Sequence, residues 1–310
     1  MDNQAKNSCH TLLEDFRKTK HEVLVEKLVF KGVGERDVYN ITAPFKDEEK
    51  TIIAGRVEER TSEQSEVYFF YQDNDQWVPD RELGTYTLQD PFITFIHDEL
   101  IFGGVEISPH PEDNTKLMWR TIFYRGKSIK GLTKFFEGPI GMKDLRLVEL
   151  PDQSIGVFTR PQGDKGGRGK IGYAQVKQLS DLTVEVIDQA PLIEGQFAEG
   201  EWGGANEIHV LDSNHLGVLG HIACFDAEGD RHYYPMVFSM NLITKATSEI
   251  HIIAERSLFL PGEAKRPDLN DVVFSGGIVR QTNQQAVLYA GISDAEAQKM
   301  TLKDPFIQFD

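Results

Sequence analysis

The chain has 310 residues, enough for one large all-β domain or two ordinary ones. Its 33 Lys and Arg stand against 49 Asp and Glu, and the formal charge of −16 repels phosphate backbones and anionic membrane surfaces, which sets nucleic-acid binding aside. Apolar residues make up 40% of the chain and can supply a sizeable core, yet no apolar run approaches the ~20 residues of a membrane span. The opening Met1-Asp2-Asn3-Gln4-Ala5-Lys6 has no basic segment followed by an apolar one, so no secretory signal is expected. Cys9 and Cys224 cannot build a disulfide framework and suit a reducing cytoplasm.

In chain order, Ser8 stands as the cap of a short helix carrying Leu12, Leu13 and Phe16 on one side, the one convincing helical period. The run from Glu22 to Phe30 is expected to complete the last sheet unit beside the carboxyl-terminal strands. The runs Glu66 to Tyr71, Thr183 to Ile187 and Gln285 to Ala290 are β-branched or aromatic and bounded by Gly, Pro, Asp and Asn, so they read as strands. This predicts a helical segment over 1–21 followed by an all-β domain over 22–310.

An Asn or Asp stands directly ahead of an apolar strand five times: Asn40 before Ile41, Asp90 before Pro91-Phe92-Ile93, Asp144 before Leu145-Arg146-Leu147, Asn206 before Glu207-Ile208-His209, and Asp271 before Val272-Val273-Phe274. The steps of 50, 54, 62 and 65 residues form a loosely kept propeller-blade period, and five such units use up the chain. In the first four units a second strand follows, ending near Arg56, Glu106, Arg160 and His221. An antiparallel hairpin places the start of its first strand beside the end of its second, so Asn40 is expected near Arg56, Asp90 near Glu106, Asp144 near Arg160 and Asn206 near His221. The fifth unit breaks the spacing, since Asp271 lies 23 residues before Asp294. A five-bladed β-propeller would turn these side chains toward one end of a central funnel; the alternative is plain turn chemistry, which also puts Asx residues ahead of strands.

Several segments carry a family resemblance. Leu88-Gln89-Asp90-Pro91-Phe92-Ile93-Thr94, Lys143-Asp144, Arg160-Pro161, Gly203-Gly204-Ala205 with His221, Asn270-Asp271-Val272-Val273-Phe274 with Gly276-Gly277, and Tyr289-Ala290-Gly291-Ile292-Ser293-Asp294 occur in an order that resembles the inverting β-mannoside phosphorylases, which are five-bladed β-propellers. The chain is closer still to their divergent relatives, the β-1,2-mannosyltransferase/phosphorylases, and to bacterial homologues without assigned function. The resemblance runs from about Val38 to Lys303 and departs from the pattern twice. Phe92 stands where the phosphorylases carry an Arg after Asp-Pro, and Ile222 stands where a Gly follows the strand-end His.

The resemblance implies that Asp90 is the catalytic acid, its proton travelling through a sugar hydroxyl, and that inorganic phosphate is the co-substrate. No other cofactor is expected. A phosphorylase needs one proton donor and a basic cradle, because phosphate is already an anionic nucleophile. An inverting hydrolase also needs a carboxylate base ~6.5–9.5 Å from the acid, a role open here to Glu106 or Asp144. Lys143, Arg160, His221 and Arg168, together with Arg56, are expected to gather the anion. Asn40, Arg56, Glu58, Glu106, Asp144, Asn206, Asp271 and Asp294 are expected to bind the sugar, while Trp202 either stacks on a sugar ring or packs between blades. The implied partners are a β-manno-oligosaccharide with phosphate or mannose 1-phosphate, with homo-oligomerisation left open. The third reading is a propeller that binds manno-oligosaccharide without turnover. Gly167 to Gly172 matches a dinucleotide-binding pattern, but a strand rather than a helix follows it, so the pattern is set aside. His209, His215 and His221 are separated by a turn, and no metal is expected there.

Overall fold

A computed structural model of the protein describes residues 8–110 and 113–309. The amino-terminal hexapeptide, in which a secretory signal is not expected, lies outside them. The described chain opens with helix α1 (Cys9–Arg17), where Ser8 Oγ accepts the Thr11 backbone N–H and Leu12, Leu13 and Phe16 are buried, as the sequence predicts. Strands β1 (Leu24–Lys27) and β2 (Val29–Phe30) follow.

Five antiparallel meanders come next. The first holds β3 (Asp37–Tyr39), β4 (Phe45–Asp47), β5 (Lys50–Glu58), β6 (Ser65–Asp73) and β7 (Gln76–Pro79), with short β8 (Thr85–Tyr86) on β6. The second is β9 (Gln89–Ile96), β10 (Glu99–His110), β11 (Asp113–Gly126) and β12 (Thr133–Glu137). The third has β13 (Arg146–Glu149), β14 (Ile155–Thr159), the single turn α2 (Gly163–Gly166), β15 (Gly172–Val176) and helix α3 (Val184–Gln189). The fourth is β16 (Trp202–Val210), β17 (His215–Phe225), β18 (Arg231–Asn241) and β19 (His251–Ile252). The fifth is β20 (Asp271–Arg280), β21 (Gln285–Ile292) and β22 (Glu296–Lys303), to whose outer edge β1 adds antiparallel, Leu24 opposite Thr301. The run Glu22 to Phe30 thus splits, since β2 pairs with β7 of the first meander.

The inner strands touch in sequence, β5 with β9, β9 with β13, β13 with β16 and β16 with β20, and β3 returns to β21 and β22. Apolar clusters fill the spaces between neighbouring meanders, such as Ile52, Phe69, Leu100 and Phe102 between the first and second. Among the described residues no helix is long and apolar enough to cross a membrane.

Two expectations need correction. Thr183 to Ile187 is not a strand: Thr183 Oγ1 accepts the Val186 N–H, Gln189 bonds back to Glu185 at 3.0 Å, and the segment winds into α3 with Ile187 buried. A good cap and an i,i+4 bond outweigh three β-branched residues in so short a segment. The second concerns the fifth repeat. Asn206 is the bulged residue of the β16–β17 pair, and the same bulge in β20–β21 falls at Gly276, five residues past Asp271. A Cβ at Gly276 would lie 1.6 Å from the Ile41 carbonyl oxygen, so the fifth meander carries no side chain where the others carry Asx, and its backbone closes against the first. Gly276→Ala is therefore expected to cost about 3 kcal/mol or more, the upper range for overpacking, because a backbone carbonyl and not a flexible side chain must yield. Denaturant unfolding against the parent measures it.

Candidate active site

The three first Asx positions share an unusual backbone, with φ of 43° at Asn40, 48° at Asp90 and 59° at Asp144. Asn and Asp tolerate the left-handed region better than other non-glycine residues, so the repeat reports a conformation that breaks each inner strand and turns its Asx side chain sideways. Asn40 Nδ2 donates to Asp90 Oδ1 at 2.8 Å, and Arg56 Nη1 donates to the same oxygen at 3.2 Å. Both contacts fall on Oδ1 and leave Oδ2 for a ligand. Asp90 thus meets Asn40 and Arg56 of the neighbouring meander, whereas Glu106 pairs with Arg120 at 2.9 Å and stays out of the cluster.

Arg56 is itself fixed. It lies over the Tyr39 ring at 4.8 Å and donates to Glu58 Oε2 at 2.7 Å and Ser65 Oγ at 2.9 Å. Glu58 also accepts from Tyr39 at 2.7 Å and pairs with Lys265 and Ser65. Burial pushes its carboxyl up, but Arg56 and Lys265 outweigh that and hold it at about 2. With its oxygens filled, Glu58 positions Arg56 rather than meeting a sugar. Lys265 was not legible in the sequence, since it comes from a connection without period.

Asp144 forms the other half. Its Oδ2 lies 3.2 Å from Arg160 Nη1 and its Oδ1 lies 3.7 Å from Arg146 Nη2. Burial raises this carboxyl, yet Arg160, Lys143 and Arg146 together bring it to about 2. Arg146, also unforeseen, donates to the Asn206 carbonyl at 2.8 Å and stacks on Phe92 at 5.0 Å. Phe92 is thus a buried support for a guanidinium. Arg160 donates to the Gly203 carbonyl at 2.8 Å and passes over Gly169 and Gly204, where a Cβ would sit 2.6 and 2.9 Å from its atoms. Lys143 makes no hydrogen bond or ion pair among the described residues, and its charge is felt at Asp144, His221 and Asp294. His221 is buried, and its Nδ1 donates to Asn206 Oδ1 at 2.8 Å. Burial, with Arg160 and Lys143 nearby, pulls it down to about 3, so at neutral pH it offers a neutral ring and not the expected positive charge. Burial pushes Asp294 up to about 6, aided by Asp90 and opposed by Arg56, so it is a carboxyl that shares its proton near neutrality.

Three further expected members take other partners. Asp271 bonds to His232 at 2.6 Å and Tyr234 at 2.8 Å. Arg168 is exposed and lies over Phe225 and Trp202 at 4.9 and 5.7 Å. Trp202 is buried against Phe225 and donates to Tyr233 at 2.9 Å, both from its own meander, so it packs within that meander rather than between neighbouring ones or against a sugar. His209 and His215 pair locally with Glu207 and Asp212, so the three histidines do not converge.

Several buried polar atoms lack a hydrogen-bond partner. Among the described residues they include Asn40 Oδ1, Asp144 Oδ1, Arg160 Nη1 and Asn206 Nδ2, all from residues singled out in the sequence, although Asp144 and Arg160 also face each other as an ion pair. Such groups are costly to leave unmet in a stable fold, and four of them in one ring mark a surface prepared for a polar ligand. The set holds donors and acceptors together with a carboxyl at Asp90, which suits a hydroxyl-rich molecule beside an anion.

Comparison with solved structures finds the chain similar to sugar-processing enzymes. The chain is similar to MPT-4, a mannose phosphorylase from Leishmania mexicana solved with a phosphate ion, at 33% identity over 96% of this chain and 93% of that one, with a TM-score of 0.87. It is also similar to MPT-1, a GDP-Man-dependent mannosyltransferase from Leishmania mexicana, at 31% identity over 98% and 96% of the two chains, TM-score 0.88. The β-1,2-mannobiose phosphorylase of Listeria innocua shares the fold at 13% identity, TM-score 0.62, with 92% of each chain covered. No match was found among the curated proteins. The chain belongs to the family described as "Protein of unknown function (DUF1861)", which matches residues 14–308, and its structural relatives are of the β-mannoside phosphorylase type.

Proposed function

We propose that this protein is an inverting phosphorylase or mannosyltransferase/phosphorylase of β-mannosides, β-1,2-linked, built as a five-bladed β-propeller over 22–310 behind a helical segment, and acting in the cytoplasm to release mannose 1-phosphate. The closed succession of inner-strand contacts supports the propeller. The observation that carries the reaction is the set of buried polar atoms without hydrogen-bond partners at Asn40, Asp144, Arg160 and Asn206.

In this reading Asp90 holds the proton on Oδ2, with Oδ1 pinned by Asn40 and Arg56, and passes it through a sugar hydroxyl to the leaving oxygen. Lys143 and Arg160 receive phosphate, whose oxygen attacks the anomeric carbon from the opposite face as the glycosidic bond breaks. Asn40, Asp144, Asn206, Asp294 and the free Nε2 of neutral His221 orient hydroxyls. The hydrolase alternative is disfavoured because both candidate bases are engaged, Glu106 by Arg120 and Asp144 by Arg160.

Incubation with β-1,2-mannobiose and phosphate tests this. Mannose 1-phosphate formed only with phosphate supports it; free mannose alone means hydrolysis, and binding without either product means a sugar-binding propeller. Lys143→Ala is expected to raise the phosphate KM about 10–100-fold with the sugar KM changed far less, the worth of one charge-assisted contact to an anion. Equal weakening of both would make Lys143 a sugar ligand.

A further inference from the structure

The proposed reaction leaves one cluster of ligating side chains unused. Cys9 opens α1, Cys224 lies near the end of β17, and Glu201 directly precedes β16; one ligand atom from each, two Sγ and a carboxylate oxygen, lie within 4.8 Å of one another. These are the only two cysteines in the chain, and the fold brings them together from distant segments. The Cys9 backbone N–H donates to both Glu201 oxygens at 3.0 Å, which fixes the carboxylate beside the thiols. No Lys or Arg pairs with Glu201 among the described residues. Cys9 is pushed far above the ordinary thiol range, first by its hydrogen bond with Cys224 and then by burial, and burial also pushes Glu201 up.

We propose that Cys9, Cys224 and Glu201 form a binding site for a thiophilic divalent cation of the zinc class, with water in the fourth position. Two thiolates and a carboxylate are a donor set that suits tetrahedral zinc, and ligand spacings up to 4.8 Å close onto Zn–S distances of about 2.3 Å with side-chain rotation. On binding, each thiol loses its proton to solvent as its sulfur joins the metal, so one cation displaces two protons and no oxidant is required. The carboxylate distinguishes this from a disulfide, in which Glu201 would have no part and would hinder thiolate formation. His232 is not a ligand, since its two ring nitrogens are taken by Asp271 at 2.6 Å and Asp226 at 3.1 Å. The cation would clip α1 onto the fourth meander, above the cluster in which Leu12, Leu13 and Phe16 pack with Ile222 and Met236.

The test uses the full chain, reduced with a phosphine and freed of metal, and titrates it with Co2+ and then Zn2+. One Co2+ per chain is expected to give thiolate-to-cobalt charge-transfer absorption that Zn2+ abolishes. Zn2+ is expected to raise the melting temperature and to block both thiols against a colorimetric disulfide reagent. Cys224→Ser and Glu201→Gln should each weaken Zn2+ binding at least ~10–100-fold, no less than loss of an outer-shell partner does. Their metal-free melting temperatures show that they remain folded. Absence of the charge-transfer band or unchanged Zn2+ affinity in both variants would each overturn the proposal.

Discussion

Asp90→Asn is expected to lower turnover on an unactivated β-mannoside by about 10²–10⁴-fold while folding and sugar affinity stay close to the parent. The geometry separates the two effects. Asn40 and Arg56 both donate to Oδ1 of Asp90, and an amide oxygen accepts those bonds as a carboxylate oxygen does. The amide nitrogen replaces Oδ2, and although the charge of the Arg56–Asp90 pair is lost, Glu58 still faces Arg56, so the melting temperature should fall less than in Asp144→Ala. What disappears is the carboxyl that delivers the proton in the proposed mechanism. A mannoside with an acidic phenol as leaving group needs little protonation, so the deficit should shrink markedly on that substrate. Full activity of Asp90→Asn on β-1,2-mannobiose would remove Asp90 from the chemistry.

The parts of this site legible in the sequence share one physical cause. A left-handed residue ahead of a strand favours Asn or Asp, so Asn40, Asp90 and Asp144 left a repeat that a linear reading detects, and hairpin pairing then pointed to Arg56 and Arg160. The same rule misled at Asp271, because the fifth unit meets the backbone of the first at Gly276, and contact between the chain's two ends leaves no local pattern. Charge was also illegible. His221 was grouped with the cations by residue type, but its protonation depends on burial beside Arg160 and Lys143, which only the three-dimensional packing sets. Lys265 reaches Glu58 from a connection with neither period nor motif, and Cys9 meets Cys224 from 215 residues away. Thr183 to Ile187 failed for a different reason: its composition fits a strand, and a single Thr cap decides the matter.

Asp144→Ala should be among the most damaging substitutions in the protein, with a stability loss of about 3–5 kcal/mol, the usual consequence of removing one partner from a buried ion pair. The Asp144 side chain is 2% exposed and faces Arg160 at 3.2 Å and Arg146 at 3.7 Å, guanidinium groups that are themselves 3% and 4% exposed. Deleting it leaves Arg160, with Lys143 beside it, without a facing carboxylate and removes the first of the two carboxylates that act on Arg146. For a chain of this length the loss corresponds to a fall in melting temperature of about 5–8 °C. The pH dependence has a definite sign. Asp144 is held at about 2 in the fold, below the ordinary aspartate value, so its stabilisation is present above about pH 4 and lost as pH falls toward 2. The gap between parent and variant should therefore be full at pH 7 and narrow steadily below pH 4. An added anion gives the sharper signature. If phosphate binds beside Arg160 and Lys143, the variant presents it with one more uncompensated positive charge, and millimolar phosphate should raise the melting temperature of Asp144→Ala more than that of the parent. Equal stabilisation of the two proteins by phosphate would mean that the anion binds elsewhere, and that the Arg160–Asp144 pair serves only to hold the inner strands in place.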